Sequence, residues 1–367
     1  MRPSVNRGAR RLTAEELERY SRQIVLDVVG SRGQRKLMDA KVGIIGLGGL
    51  GSPAAMQLAA MGIGHLRVVD CDVVELSNLH RQYLYGTSSI GFPKAEVAAR
   101  RLRDLNPAIE IEPRTVSVNS STAVEVVDGM DVIVDGLDRI TPRYAINRAC
   151  LSLGVPYVFG AAIMTYGTAK TVIPHETACL ECFQGGLEDD RIEKCATVGV
   201  HPSVLGIISS VEVSEAVRIV TGEKPQLARK IFCCDVWDMR FDEVEIMRSE
   251  KCPACGSKPS SAFPLKERII TDICSRSGKR AFMIAPKADL DLDMGRLYAY
   301  LEGNDMKIDV RGELGATFDL GPRGKASVLK SGVMVIEGVN EEEDAFELYW
   351  EIIADGLSVP MSKIRGE

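Results

Sequence analysis

The hydrophobic pattern opens on a helical repeat and passes into an alternation of short apolar runs with longer amphipathic stretches. Over residues 13–38, Thr13 precedes Glu16 at capping-box spacing, and Leu17, Tyr20, Ile24 and Leu26 supply an apolar face, predicting helices. Residues 42–45 have the length and branching of a buried strand, residues 52–61 fit a helix, and residues 66–70 fit a second strand ending in a carboxylate. The alternation continues with a helix over 95–105, a strand over 109–116, helix at 123–127, a strand over 131–135 and a helix that begins at its end. Strands at 156–160 and 169–173, a long apolar helix over 203–221, and a returning strand pair at 230–236 and 241–247 follow. Strands separated by helices predict an α/β domain with a doubly wound, mostly parallel sheet.

Past Cys255 the pattern changes. Residues 256–262 have linker composition, and alternating strand patterns then recur at 306–310, 316–318, 326–329 and 332–338 before a helix opened by Asn340 and an acidic first turn. The chain therefore reads as a larger domain over residues 1–258 and a small α+β domain over residues 259–367.

The chemistry concentrates at the carboxyl ends of the predicted strands. Gly46, Gly48, Gly49 and Gly51, followed by Ser52, form a strand-glycine-helix turn that lets phosphates approach the backbone at a helix N-terminus. Asp70 lies about 20 residues further on, where such sheets grip an unphosphorylated ribose; a helix cap or strand-end turn is the plainer reading. The stretch from Asp72 to Gln82 is too polar to be the next helix, and Asn78, Arg81 and Gln82 offer donors at the ligand-binding edge. Gly91-Phe-Pro-Lys94 opens a helix with Pro93 suited to its first turn, so Lys94 pairs with Arg81 as a triphosphate clamp. Asp138, at the mouth of the helix after the 131–135 strand, is placed to hold Mg²⁺, although helix capping would equally use a carboxylate there.

Cysteine spacing adds a second centre. Cys179-x-x-Cys182 is answered by Cys252-x-x-Cys255, and four thiolates satisfy tetrahedral Zn²⁺ with no open position, which makes the site structural. Cys195, beside Lys194, is either a small apolar filler or a reactive thiol. With 367 residues, ten cysteines and no secretory signal, metal binding explains the thiols better than disulfides do. The net charge of -6 gives no support for a nucleic-acid or anionic-membrane partner, and no apolar run approaches a membrane span; a cytosolic location is expected.

Together these residues resemble the MoeB/ThiF group, prokaryotic relatives of ubiquitin-activating enzymes. The match covers about residues 12–258 and includes Arg19-Tyr-Ser-Arg-Gln23, the loop from Gly46 to Ser52, Asp70-x-Asp72, Ser77-Asn-Leu-x-Arg-Gln82, Gly91-x-x-Lys94, Asp135-x-x-Asp138, Arg143, Asn147 and both cysteine pairs. Arg139 departs from the asparagine common there. The resemblance implies ATP-dependent adenylation of the C-terminal glycine of a ubiquitin-like or sulfur-carrier protein ending in Gly-Gly, with release of pyrophosphate and transfer to a cysteine as a further step. It implies that the glycine loop with Asp70 and Asp72 holds adenosine, that Asn78, Arg81 and Lys94 hold phosphates, and that Asp138 carries Mg²⁺. It also implies that Arg22 reaches into the second protomer of a homodimer and that Cys195 stands at the acceptor position. The C-terminal domain is expected to take no part in adenylation and either to recruit a downstream carrier-transfer protein, as a C-terminal domain does in ubiquitin-activating relatives, or to serve as a plain dimerisation or stabilising module. Two competing readings are an enzyme adenylating a tRNA-bound carboxylate, which would favour a basic surface, and a zinc-stabilised NAD-dependent oxidoreductase, which leaves Arg81, Lys94 and Asp138 without a role.

Overall fold

The computed structural model describes residues 11–191, 195–257, 265–273 and 280–366. Eight strands form the main sheet: β1 (Lys41–Ile45), β2 (His65–Val69), β3 (Glu110–Arg114), β4 (Val132–Asp135), β5 (Tyr157–Ile163), β6 (Tyr166–Val172), β7 (Lys230–Asp235) and β8 (Arg240–Glu245). Their order is β3-β2-β1-β4-β5-β6-β7-β8, parallel through β5 and antiparallel beyond it. Both faces of the parallel part are covered, which is why β1 and β4 read as continuous apolar runs and not as alternations. One face buries Ala54, Leu58, Ala98, Leu102 and Val213 from the helices Gly51–Met61, Lys94–Leu105 and Pro202–Thr221. The other buries Val126, Ile146, Ala149 and Leu180, together with Cys179, Cys252 and Cys255.

The strand order reverses between β1 and β4, and that switch point is where open α/β sheets form a ligand crevice. Three glycines cross there. Gly46 has φ +90°, a Cβ built on Gly51 would lie 1.8 Å from the Gly46 carbonyl oxygen, and one on Gly136 would lie 2.2 Å from the same atom. No side chain fits at these positions, so the first turn of the Gly51–Met61 helix packs backbone against backbone over the ends of β1 and β4.

The second sheet holds β9 (Ile270–Ile273), β10 (Ala281–Ile284), β11 (Ile308–Arg311), β12 (Gly315–Asp319), β13 (Lys325–Leu329) and β14 (Met334–Glu337). It is antiparallel in the order β11-β12-β13-β14-β10-β9. Phe282, Phe318, Val328 and Ile336 bury one face against helices Met294–Gly303 and Glu342–Tyr349 and the wider turn Trp350–Gly356. Met283, Leu329 and Val335 bury the opposite face against Val73 of the larger domain. The expected boundary at residues 258 and 259 lies outside the described residues.

The structure differs from the sequence reading in two places. At the N-terminus the helices are short, Ala14–Arg19, Ser21–Ile24 and Gly30–Asp39, and although the Thr13 capping box forms, of the predicted apolar face only Tyr20 is buried; Leu17 and Leu26 are exposed. In the second domain the structure adds β9, β10 and the Met294–Gly303 helix to the expected elements; β10, Ala281-Phe-Met-Ile284, is apolar and buried at every position and so shows no alternation.

Candidate active site

The site is assembled at the switch point from the ends of β1, β2 and β4. Asp70 follows β2, and its Oδ2 accepts the Leu47 amide at 2.7 Å while Oδ1 accepts the Asp72 amide at 2.8 Å. The Tyr85 hydroxyl donates to the Leu47 carbonyl at 3.0 Å, so the glycine loop is pinned from two sides. Burial pushes the Asp70 carboxyl up to about 6, with Lys94 opposing and Asp72 reinforcing the rise. A Cβ on Gly48 would meet only ordinary contacts, Gln82 Nε2 at 3.8 Å and Gly136 O at 3.9 Å, whereas one on Gly49 would strike Leu205 at 2.6 Å. Gly48 is thus the loop position left clear for a ligand, and Gly46, Gly49 and Gly51 serve packing.

Lys94 is the central cation. It begins the Lys94–Leu105 helix, is only 5% exposed, and its Nζ lies 2.9 Å from Asp72 Oδ2. Burial disfavours its charge, but Asp72 and Asp70 outweigh that and hold the ammonium above its usual range. The neighbouring backbone is closed by three bonds, Lys94 N to Asp72 O at 2.9 Å, Val74 N to Phe92 O at 2.9 Å, and Gly91 N to Val74 O at 2.9 Å. Residues 72–94 therefore form a loop with a tied neck, and Asn78, Arg81 and Gln82 ride on it. The Asn78 side chain is committed locally, its Oδ1 accepting the Glu75 amide at 3.2 Å. Arg81 is half-buried and its Nη1 donates to Ser77 O at 2.8 Å.

Asp138 is exposed at the mouth of the Ile140–Leu153 helix. It does not cap that helix: the Ile140 amide donates to Asp189 Oδ1 at 2.7 Å, which leaves Asp138 available for another charge. Behind it is a group the sequence reading did not anticipate as a unit. Asp135 Oδ2 lies 3.0 Å from Arg143 Nε and accepts the Tyr157 hydroxyl, while Arg143 Nη2 donates to Leu137 O at 2.5 Å and Gly160 O at 2.6 Å. Glu212 is fully buried against Gly160, without a hydrogen-bond partner on either carboxyl oxygen, and burial, reinforced by the nearby Asp135 and opposed by Arg143, pushes its carboxyl well above the usual carboxylate range. Nothing in the linear pattern singles out Glu212, which looks like one more residue of an amphipathic helix.

Two further buried polar atoms at the glycine loop have no partner, Ser52 Oγ and Gln82 Oε1. Buried polar groups are normally satisfied, so these fit a polar ligand entering beside Gly48. Arg22 is exposed and stands away from this crevice. Its neighbour Gln23 donates to Met61 O at 3.0 Å, at the end of the Gly51–Met61 helix, about 16 Å from the loop at 1.5 Å per residue.

The four cysteines meet as expected. The sulfur separations are 3.9 Å for Cys179 and Cys182, 3.6 Å for Cys179 and Cys252, and 3.4 Å for Cys182 and Cys255, with all four within 4.8 Å. Tetrahedral Zn–S bonds of about 2.3 Å require sulfurs about 3.8 Å apart, so the donor set fits Zn²⁺ with no position for substrate. Cys195 begins the short helix Cys195–Val198, and its side chain lies outside the described residues. Burial raises both Cys233 and Cys234 above the usual thiol range, so neither is an activated thiolate.

A family model, the ThiF family, matches residues 20–254. The chain belongs to the ThiF family. It is 41% identical to the SAMP-activating enzyme E1 of Haloferax volcanii over 67% of this chain and 91% of that protein. It is 38% identical to the sulfur carrier protein adenylyltransferase of Thermus thermophilus over 68% of this chain and 94% of that protein. The adenylyltransferase and sulfurtransferase MOCS3 of Xenopus laevis is 37% identical, over 72% of this chain and 58% of its own. Among solved structures, E. coli MccB with AMPCPP and MccA superposes with a TM-score of 0.58 at 25% identity, covering 65% of this chain and 74% of that one. Among the described residues no helix is long and apolar enough to cross a membrane.

Serine at Cys252 is expected to remove bound zinc from this ThiF-family chain and to lower its thermal stability, since the cluster ties the Leu180–Gln184 helix to a segment about seventy residues away. Metal analysis alongside a melting curve checks this; unchanged zinc content and melting would exclude the four-thiolate site.

Proposed function

We propose that the chain adenylates the C-terminal glycine carboxylate of a ubiquitin-like or sulfur-carrier protein, consuming ATP and releasing pyrophosphate. The observation that carries the reading is the buried Lys94 ammonium, held charged by Asp72 at the switch point beside an open glycine loop. The names of the Haloferax and Thermus relatives support the same reaction class. Nothing in the site favours hydride transfer, which has no use for such a cation.

The chemistry asks little of acid-base groups. A C-terminal carboxylate is already ionised at neutral pH and attacks the α-phosphorus directly, the bond to the bridging oxygen breaks, and pyrophosphate leaves with the electron pair. Catalysis is then positioning and neutralisation of phosphate charge. Gly48 admits the phosphates to the backbone, Asp70 accepts from ribose hydroxyls, and Lys94 and Arg81 meet the negative oxygens. Asp138 would hold Mg²⁺, which supplies further neutralisation. Lys94 is ordered before substrate arrives, so little reorganisation is spent at the reacting centre.

A homodimer belongs to the same proposal. Leu17, Val25, Leu26 and Val28, 47%, 73%, 51% and 75% exposed, flank Arg22 in sequence and offer apolar surface that a second copy would cover. Arg22 would then serve the partner's crevice.

Alanine at Lys94 or Asp138 is expected to slow ATP-pyrophosphate exchange driven by a Gly-Gly-ended carrier by roughly 30- to 1,000-fold, about 2–4 kcal/mol, without unfolding the chain. Full exchange in either variant would refute the assignment. Mixing Arg22→Ala and Lys94→Ala chains should recover part of the activity in heterodimers, because one composite site is then intact. Verified heterodimers without recovery would return Arg22 to its own surface.

A further inference from the structure

The C-terminal sheet does not stand clear of the larger domain. Val73, 1% exposed, packs under Met283, Leu329, Val333 and Val335. Thr317 Oγ1 donates to the Gly91 carbonyl at 2.7 Å and exchanges a second hydrogen bond with Ser327 Oγ at 2.8 Å, all of it buried. The Leu314 amide donates to Glu96 Oε2 at 2.8 Å, and Glu96 is 7% exposed in the first turn of the helix that Lys94 begins. The fit leaves no slack: a Cβ on Gly91, which has φ +87°, would lie 2.9 Å from Val310, one on Gly315 would lie 2.8 Å from Pro93, and one on Gly312 would lie 2.6 Å from Glu96.

These contacts converge on the neck of the 72–94 loop. Its inner side carries the Asp72–Lys94 ion pair, and its outer side, at Val73, Gly91, Pro93 and Glu96, is covered by β12, β13, β14 and the turn between β11 and β12. The neck's three backbone bonds fix the distance between Asp72 and Lys94 only while its two antiparallel segments, bridged at Val73 and Pro93, stay side by side, and an exposed Val73 with an unanchored Gly91 would let them part. We propose that the C-terminal domain is a structural wall of the phosphate site and that Thr317 is a positioning residue for Lys94, acting through the Gly91 carbonyl. This inference rests on the adenylation reading and replaces the expectation that the domain takes no part in that step. It gives the second sheet a task for which both of its faces are needed, helices on one side and the phosphate loop on the other.

The test is a thermodynamic cycle on the full chain, read as affinity for a non-hydrolysable ATP analogue with Mg²⁺ by calorimetry. Thr317→Val should weaken binding about three- to tenfold, the scale of one buried hydrogen bond, whereas Thr317→Ser should bind as the unaltered chain does. In the Lys94→Ala background the same Thr317→Val change should have no further effect, because the group it positions is gone. Equal losses in both backgrounds, or full affinity in folded Thr317→Val protein, would overturn the positioning role while leaving the adenylation reading intact. Absence of ATP binding by the unaltered chain would overturn both. Should Thr317→Val not fold, Glu96→Ala is read in the same cycle with the same expected outcomes.

Discussion

The pairing of Lys94 with Asp72 is the constraint on which the rest of the site depends. An ammonium taken out of water costs several kcal/mol unless a counter-charge is close, and here the counter-charge is 2.9 Å away with Asp70 behind it. The pair spans the two ends of one loop, so satisfying the charge also closes the loop and fixes the donors it carries. Asp70 in turn holds Leu47 of the glycine turn, which couples the nucleotide loop to the same cluster. Arg81 rides on the same loop, where its Nη1 donates to Ser77 O at 2.8 Å.

The polar brace behind the crevice works by a different principle. Asp135 and Arg143 are buried together and linked to backbone carbonyls at Leu137 and Gly160, so the end of β4 and the turn leading to Asp138 are held by hydrogen bonds and not by packing alone. Removing one member of such a pair would strand the other charge in the core, a loss of about 3–5 kcal/mol. The four clustered cysteines tie the same face together, where Cys179, Cys252 and Cys255 join the apolar cluster that holds Ile146, Tyr157 and Leu180.

Much of this was legible in the sequence, for physical reasons that differ between elements. Gly46, Gly51 and Asp70 could be read because their roles are local, a turn with no room for a Cβ and a carboxylate at a strand end. Cys179, Cys182, Cys252 and Cys255 could be read because thiolate pairs at this spacing have one dominant use. The contact between Thr317 and Gly91 could not, since it joins residues 226 positions apart and neither residue type advertises a partner. Glu212 was hidden for a related reason: a buried carboxyl that lacks a partner violates the pattern that sequence reading relies on. Leu17 and Leu26 misled in the opposite direction, their periodicity marking an apolar surface that this chain alone does not bury.

The most direct measurement follows the phosphorus. The chain is incubated with a Gly-Gly-ended carrier and ATP labelled at either the α- or the γ-phosphate, then quenched in acid, and the carrier is analysed by mass and by label. The account predicts that α-label joins the carrier as an acyl-adenylate, a mixed anhydride between its terminal carboxyl and AMP, while γ-label leaves as pyrophosphate. Label from the γ-position on the carrier, or a carrier that stays unmodified while ATP is bound, would contradict it.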